Sequence, residues 1–419
     1  MTNVFKLKHE PTTLPDELWV EIFHHATFVD GTSGPSIYAY AERYGLHNRG
    51  NSPHELALRR SLTETRRHLP LVSRRWHRLA TSYLYSSIWV NDVNVLPSLA
   101  ATVSEPRPKG AHGLDAALGS YTKRLDVVLK DYTAEIDPST CTQDFPNLAD
   151  IIRSLPRLAV LVFASEMSDH SYLPEDILEA ICSHRGIRAL EWRTRALNPS
   201  PSQIITLLSS GSLLCPRILS CKHAALPSIH DGSTPPAAMQ SLEFLSLDSL
   251  GWLSELTCDS FPHLRYLTIK ESACTQIMVM FLESLGRPLT SVHYVVEPGQ
   301  IADPFLLPTI ARHCPNLTRF TFSIPANVFF DAGQFPLPSG TMRLPPVKRL
   351  AFMLYNGSEK DKAAPTCNHI WNLLKALTTR FPSIRVIEFL NIHIRYKSLL
   401  ATAPSRLSGI TFEYEFIDE

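Results

Sequence analysis

The sequence predicts an α/β protein: a small N-terminal helical module followed by a curved solenoid of strand–helix repeats. Two observations carry the prediction. A triplet with the spacing apolar-x-x-apolar-x-apolar returns about every 22 to 37 residues along most of the chain, the range of repeats that pair a strand with a helix, or just beyond it. Ahead of those triplets, apolar residues keep helical rather than strand spacing.

The helical module is expected over residues 12–90, with an insertion at about 29–53. Thr13 suits an N-cap and Pro15 a first helical turn. Asp16 and Glu17 favour the positive end of the helix dipole. Leu18, Trp19, Ile22, Phe23 and Ala26 follow as one expected buried face. Gly31, Gly34, Pro35, Gly45, Gly50 and Pro53 then read as a surface insertion. Helical character returns from His54 to Arg67. After Pro70, Val72, Trp76, Leu79 and Tyr83 form a second face, with Arg74, Arg75, His77 and Arg78 opposite as a solvated surface.

Residues 91–120 read as a linker or a first irregular unit, since Pro106, Pro108, Gly110 and Gly113 interrupt them. The solenoid is expected over 121–419. Its triplets are Leu158/Leu161/Phe163, Ile187/Leu190/Trp192, Leu242/Leu245/Leu247, Leu264/Leu267/Ile269, Leu289/Val292/Tyr294, Leu317/Phe320/Phe322, Val347/Leu350/Phe352, Ile384/Ile387/Phe389 and Leu407/Ile410/Phe412. A degenerate unit has Ile218 as first anchor. Pro156, Pro262, Pro288, Pro315, Pro346 and Pro382 stand just before an anchor, where proline ends a helix and favours extended backbone. Between triplets the period is helical, as at Asp176–His184, Gln276–Leu285 and Ile370/Leu373/Leu374/Leu377/Phe381. A single strand–helix unit cannot bury its apolar face alone, whereas a stack of them can.

Bulk properties set outer bounds. Hydrophobic residues are 44% and charged residues 19% of the 419, as in a folded domain. Lys+Arg and Asp+Glu are both 40, which gives no global attraction to nucleic acid or to an anionic membrane. Met1–Pro11 lacks the apolar core of a signal peptide, and no run approaches the ~18 apolar residues of a spanning helix. Eight cysteines without C-x-x-C spacing suit reduced thiols, hence a cytoplasmic or nuclear protein. His24-His25, Cys182 with His184 and Cys221 with His223 lack zinc-site spacing. No phosphate-cradling loop or nucleophile elbow occurs, so neither catalysis nor a cofactor is expected.

Two blocks, Leu14-Pro15-Asp16-Glu17-Leu18-Trp19-Val20-Glu21-Ile22-Phe23 and Leu71-Val72-Ser73-Arg74-Arg75-Trp76-His77-Arg78-Leu79-Ala80, resemble the F-box family. The downstream triplets resemble leucine-rich repeats, frequent companions of that module. The insertion between the blocks departs from the compact family pattern. The resemblance implies a substrate-recognition adaptor of a ubiquitin ligase: the module docks on a Skp-family adaptor and through it on a cullin scaffold, while the solenoid holds a target protein. It implies docking residues Leu14, Pro15, Leu18, Ile22, Phe23 and Val72, with Trp76 as the module's internal anchor. A ligase-independent interaction scaffold is the alternative.

Alternation along the strands predicts the target face. If the triplet anchors point inward, Phe244, Asp248, Tyr266, Lys270, His293, Arg319 and Arg349 point outward. Aromatic and basic groups are frequent at binding hot spots, and the two arginines would suit an acidic or phosphorylated segment.

Overall fold

A computed structural model describes residues 14–27, 53–105, 117–129, 147–165, 173–192, 197, 199–208, 215–218, 242–247, 261–270, 275–295, 306–325, 345–355, 374–375, 377–379, 381–393, 407 and 409–417. The insertion expected at 29–53 lies almost wholly outside these residues, as do Asp248, Cys221, His223, Ile370 and Leu373.

The N-terminal helices are α1 (Asp16–Thr27), α2 (Pro53–His68) and α3 (Arg74–Leu84). Ser73 caps α3, its hydroxyl accepting the Trp76 N–H at 3.1 Å. Trp19 and Phe23 of α1 meet Trp76 of α3 at ring-centroid distances of 4.6 and 4.9 Å, and Phe23 meets Tyr83 at 6.4 Å. Hydrogen bonds to main-chain carbonyls of α1 help fasten the bundle. The Tyr83 hydroxyl donates to the Val20 carbonyl at 2.9 Å, and Arg66 of α2 donates to the Thr27 carbonyl at the C-terminal end of α1 at 2.7 Å.

Among the described residues every strand belongs to one parallel sheet of twelve, in which spatial order equals chain order. The strands are β1 (Ser87–Val90), β2 (Arg124–Leu129), β3 (Val160–Ser165), β4 (Ala189–Trp192), β5 (Cys215–Ile218) and β6 (Phe244–Leu247). They continue with β7 (Tyr266–Lys270), β8 (Ser291–Val295), β9 (Arg319–Pro325), β10 (Arg349–Tyr355), β11 (Val386–His393) and β12 (Thr411–Ile417). Helices α4 (Leu96–Ser104), α5 (Glu175–Ser183), α6 (Pro201–Leu208), α7 (Thr275–Leu285) and α8 (Leu306–His313) lie between strands. Parallel neighbours need such crossovers, and the apolar faces of helices and sheet close over one core.

The second and third triplet positions stack across strands into two core columns. Leu161, Leu190, Leu245, Leu267, Val292, Phe320, Leu350 and Ile387 belong to the first, and neighbouring strands pair these positions directly. Phe163, Trp192, Tyr294, Phe322, Phe352 and Phe389 belong to the second, all essentially without solvent exposure. Adjacent rings there touch: Phe163 with Trp192 at 4.2 Å, Phe322 with Phe352 at 5.6 Å and Phe352 with Phe389 at 5.9 Å. Such ring pairs contribute ~0.5–1.5 kcal/mol beyond area burial.

The prolines act more specifically than as helix stops. A four-residue turn recurs just before the strands, with the fourth N–H donating to the first carbonyl. It spans Leu155–Leu158 (2.9 Å), Phe261–Leu264 (3.1 Å), Cys314–Leu317 (3.2 Å) and Phe381–Ile384 (3.0 Å). Pro156, Pro262, Pro315 and Pro382 occupy its second position, where a φ locked near −65° fits the turn. After it one carbonyl accepts two successive N–H groups of the next unit: Lys123 serves Ala159 and Val160, Arg265 serves Thr290 and Ser291, and Lys348 serves Arg385 and Val386.

Three registers differ from the sequence reading. The last unit pairs Phe412 with Ile387 and Tyr414 with Phe389. Its anchors therefore sit two residues later than Leu407/Ile410/Phe412, and Gly409, at φ 81°, begins the strand approach. Ile218 pairs with Trp192 and Leu247, so it holds the third position of its unit rather than the first. The sheet also starts earlier than residue 121. Ile88 pairs with Leu125 and Val90 with Val127, and Ser86 gives the same double carbonyl contact, to Lys123 and Arg124. Within 91–120, α4 buries Leu96 and Val103, because that segment supplies the helical side of the unit between β1 and β2.

Candidate functional site

Two surfaces carry the expected site residues, one on the helical module and one on the sheet face away from the helices.

On the module, α1 is apolar on two sides. Trp19, Phe23 and Thr27 recur every fourth residue; Trp19 and Phe23 meet α3, Thr27 is buried, and Phe23 is 0% exposed. Leu18, Val20 and Ile22 lie round the helix from that stripe, Leu14 lies just before the helix, and all four are exposed. Leu71 and Val72, just before α3, are the most exposed large apolar residues described, at 78% and 61%. Of the expected docking set, Leu14, Pro15, Leu18, Ile22 and Val72 are therefore at the surface. Phe23 is not: its ring fills the module core. The same geometry corrects the expectation that Leu18, Ile22 and Ala26 are buried with Trp19 and Phe23. Residues 18 and 22 lie about 60–100° round the helix from Trp19, and α3 packs on the 19/23/27 side alone, so they stay at the surface. Trp76 is half-buried, held between Trp19 and Phe23 rather than fully enclosed. Sequence reading gave Leu71 no role, although its place in the second block beside Val72 was the available signal.

Polar contacts set α1 against α3. Arg75 Nε donates to Asp16 Oδ1 at 2.6 Å, and its Nη2 donates to the Leu14 carbonyl at 2.6 Å. Arg78 donates to Asp16 Oδ2 at 2.9 Å. The arginines expected as a solvated face are thus partly engaged. The hydrogen bond from Arg75, with the charges of Arg75 and Arg78, holds the Asp16 carboxyl below its ordinary pKa.

The second sheet face is mostly closed. Phe244, His293 and Arg319 are buried, Tyr266 is half-buried, and Arg349 keeps 44% of its side chain exposed. The side chain of Lys270 lies outside the described residues. Outward direction did not mean exposure, because strands ~4.8 Å apart set neighbouring side chains against one another. Phe244 and Tyr266 stack at 6.4 Å, and Phe244 clusters with Val160, Val162 and Ala189.

The two arginines are also engaged. Arg319 donates to Glu388 Oε2 at 2.7 Å, and Arg349 donates to Glu388 Oε1 through Nε at 2.7 Å and through Nη2. Arg349 Nη2 reaches Glu413 Oε2 at 2.8 Å. A chain of ion pairs, two arginines followed by two glutamates, therefore crosses β9, β10, β11 and β12, in place of a basic pair waiting for an acidic segment. The pairing of the arginines with these carboxylates was not anticipated, though Glu388 and Glu413 hold one strand position in neighbouring units. At the other end, Arg124 grips Asp126 in a buried two-point contact of 2.7 and 2.8 Å.

One pair on this face has the separation of a nucleophile and its base: His293 Nε2 and Ser323 Oγ, 2.7 Å apart. Ser323 has no exposed surface, so its hydroxyl cannot meet a substrate in this conformation. Among the described residues no group of three or more His, Cys, Asp or Glu could hold a metal ion, and no helix is long and apolar enough to cross a membrane. Comparison with models of known protein families, and with characterised proteins, returned no match.

Proposed function

We propose that this chain is an F-box-type adaptor: its helical module docks on a Skp-family protein, and its repeated sheet, read as a leucine-rich-repeat-like solenoid, carries a target to a cullin ubiquitin ligase. The single observation behind this reading is the arrangement of apolar residues on the module. Trp19, Phe23, Trp76 and Tyr83 complete an internal aromatic cluster, yet Leu14, Leu18, Ile22, Leu71 and Val72 remain outside it. A helix apolar on both sides is made to be covered on both sides. The covering partner is taken to be the Skp-family protein because the exposed residues fall within the two sequence blocks that resemble the F-box.

The test is direct binding of the purified chain to a Skp-family protein, compared with a Leu71→Asn/Val72→Asn variant. Burying such side chains contributes ~1.5–3 kcal/mol each, so the pair should cost about a hundredfold or more in affinity. Both residues are exposed, so the melting temperature should not change. An intact chain with no affinity for the adaptor refutes the reading and favours a ligase-independent scaffold. Adaptor binding that the double variant leaves unchanged would move the interface elsewhere.

A further inference from the structure

We infer that Arg75 is a positioning residue that makes adaptor capture depend on an ion pair behind the apolar surface. The inference rests on the docking reading above and goes beyond it, since Arg75 contributes no apolar contact itself.

Leu14 and Pro15 precede the first helical residue, Asp16. Arg75 grips the chain on both sides of Pro15, through the Leu14 carbonyl and the Asp16 carboxylate. Arg75 is also three residues after Val72 and in the first turn of α3, whose cap is Ser73. One guanidinium thus joins the two segments that present Leu14-Pro15 and Leu71-Val72. Arg78 adds charge on the other carboxylate oxygen. A lysine cannot replace this fork, because a single ammonium lacks the planar pair of donors that reaches carbonyl and carboxylate together. Removing the fork frees the Leu14-Pro15 lead-in from the Leu71-Val72 turn. The adaptor must then reorder the two at its own cost.

The experiment uses the full chain with Asp16→Asn, Arg75→Gln, Arg75→Lys and the Asp16→Asn/Arg75→Gln double variant. Affinity for a Skp-family protein, melting temperature and amide hydrogen exchange at Leu18 and Trp19 are measured. Those two amides donate to the Pro15 carbonyl and report whether the start of α1 is held. Each single change should weaken binding about tenfold, Arg75→Lys included. The double variant should be no worse than Arg75→Gln, with melting temperatures within about a degree of the unaltered chain. Exchange at Leu18 and Trp19 should quicken in every variant. Additive losses, or wild-type affinity in Arg75→Lys, overturn the positioning role. If the unaltered chain binds no adaptor, the docking reading fails. Hydrogen exchange then still decides the latch, since unchanged exchange in Arg75→Gln would show that Arg75 holds nothing in place.

Discussion

Glu388 offers a measurable test of how the second sheet face is held. Its side chain is 6% exposed and that of Arg319 is 9% exposed. Replacing Glu388 with Gln leaves the Arg319 guanidinium buried without the negative charge it pairs with, and the single amide oxygen can replace the acceptor of only one of the two arginines. Breaking a buried ion pair from one side costs ~3–5 kcal/mol, because the remaining charge keeps its desolvation penalty. Glu388→Gln should therefore lower unfolding free energy by about that amount in urea titrations. Arg319→Met/Glu388→Leu removes both charges from the buried pair and should cost far less than either single change. Arg349 lies 44% exposed against Glu413 and can be solvated in that background. The coupling between the two sites is then the observable, and neighbouring residues should couple by ~0.5–3 kcal/mol. A Glu388→Gln loss below about 1 kcal/mol, or additive single losses, would refute the claim that this pair is closed to solvent.

Other consequences follow from burial and titration. Phe23→Ala should destabilise the helical module by ~3–5 kcal/mol, read as an early unfolding transition, since the ring is fully enclosed. Gly286→Ala should destabilise strongly in a thermal melt: a Cβ there would sit 2.6 Å from the His313 carbonyl oxygen and press on that of Leu282, both backbone atoms. Burial pushes the Cys314 thiol up to about 12 and that of Cys182 up to about 11, so both should resist alkylation at pH 8 until the chain is unfolded. Asp16 is held below its ordinary value first by the hydrogen bond from Arg75. The stabilisation it gives is complete above the unfolded carboxylate value and is lost as pH falls through the folded one. Protection at Leu18 and Trp19, taken relative to the intrinsic exchange rate at each pH, should therefore fall only below about pH 4, and Asp16→Asn should abolish that dependence.

The parallel sheet was legible because the strand code repeats. Leu161, Leu267 and Phe320 need only be apolar at one spacing, and each new unit tests the last. What failed was local. The residues 407–412 satisfy the spacing, but so do Phe412 and Tyr414 with a glycine before them, and only pairing with Ile387 and Phe389 decides. Tyr85/Ile88/Val90 has the same spacing and escaped notice because the preceding helix claimed it. On the sheet's second face, alternation gave direction correctly and exposure wrongly. Direction is set by one strand, whereas exposure depends on what the strands either side place there, as Glu388 does for Arg319 and Arg349. On α1 the sequence supplied the apolar residues but not their division. Two overlapping stripes, 14/18/22 and 19/23/27, cannot be told apart as inner and outer until α3 supplies Trp76 to one of them.

The junction between module and sheet links the two surfaces mechanically. α3 ends at Leu84 and β1 begins at Ser87. The Ser86 carbonyl between them already accepts the Lys123 and Arg124 N–H groups, as the equivalent carbonyls do in later units. α3 thus serves as the last helix of the module and as the helix leading into the first strand. Arg66 of α2 lies close to the join: it is buried and bonded to the end of α1, and it feels the charges of Arg124 and Asp126 on β2. Desolvation, the larger influence, lowers its pKa, and Arg124 adds to that while Asp126 opposes it. α3, which presents Trp76 and Tyr83 to the module core, and the first strand are therefore separated by two residues. Inserting a Gly-Ser pair after Tyr85 would part Ser86 from the Tyr83 carbonyl, to which both its N–H and its hydroxyl donate, without touching Leu14, Leu71 or Val72. Adaptor affinity should survive that insertion, while melting of the module should separate from melting of the sheet in calorimetry. A single unchanged transition would show that the coupling runs through contacts other than this junction.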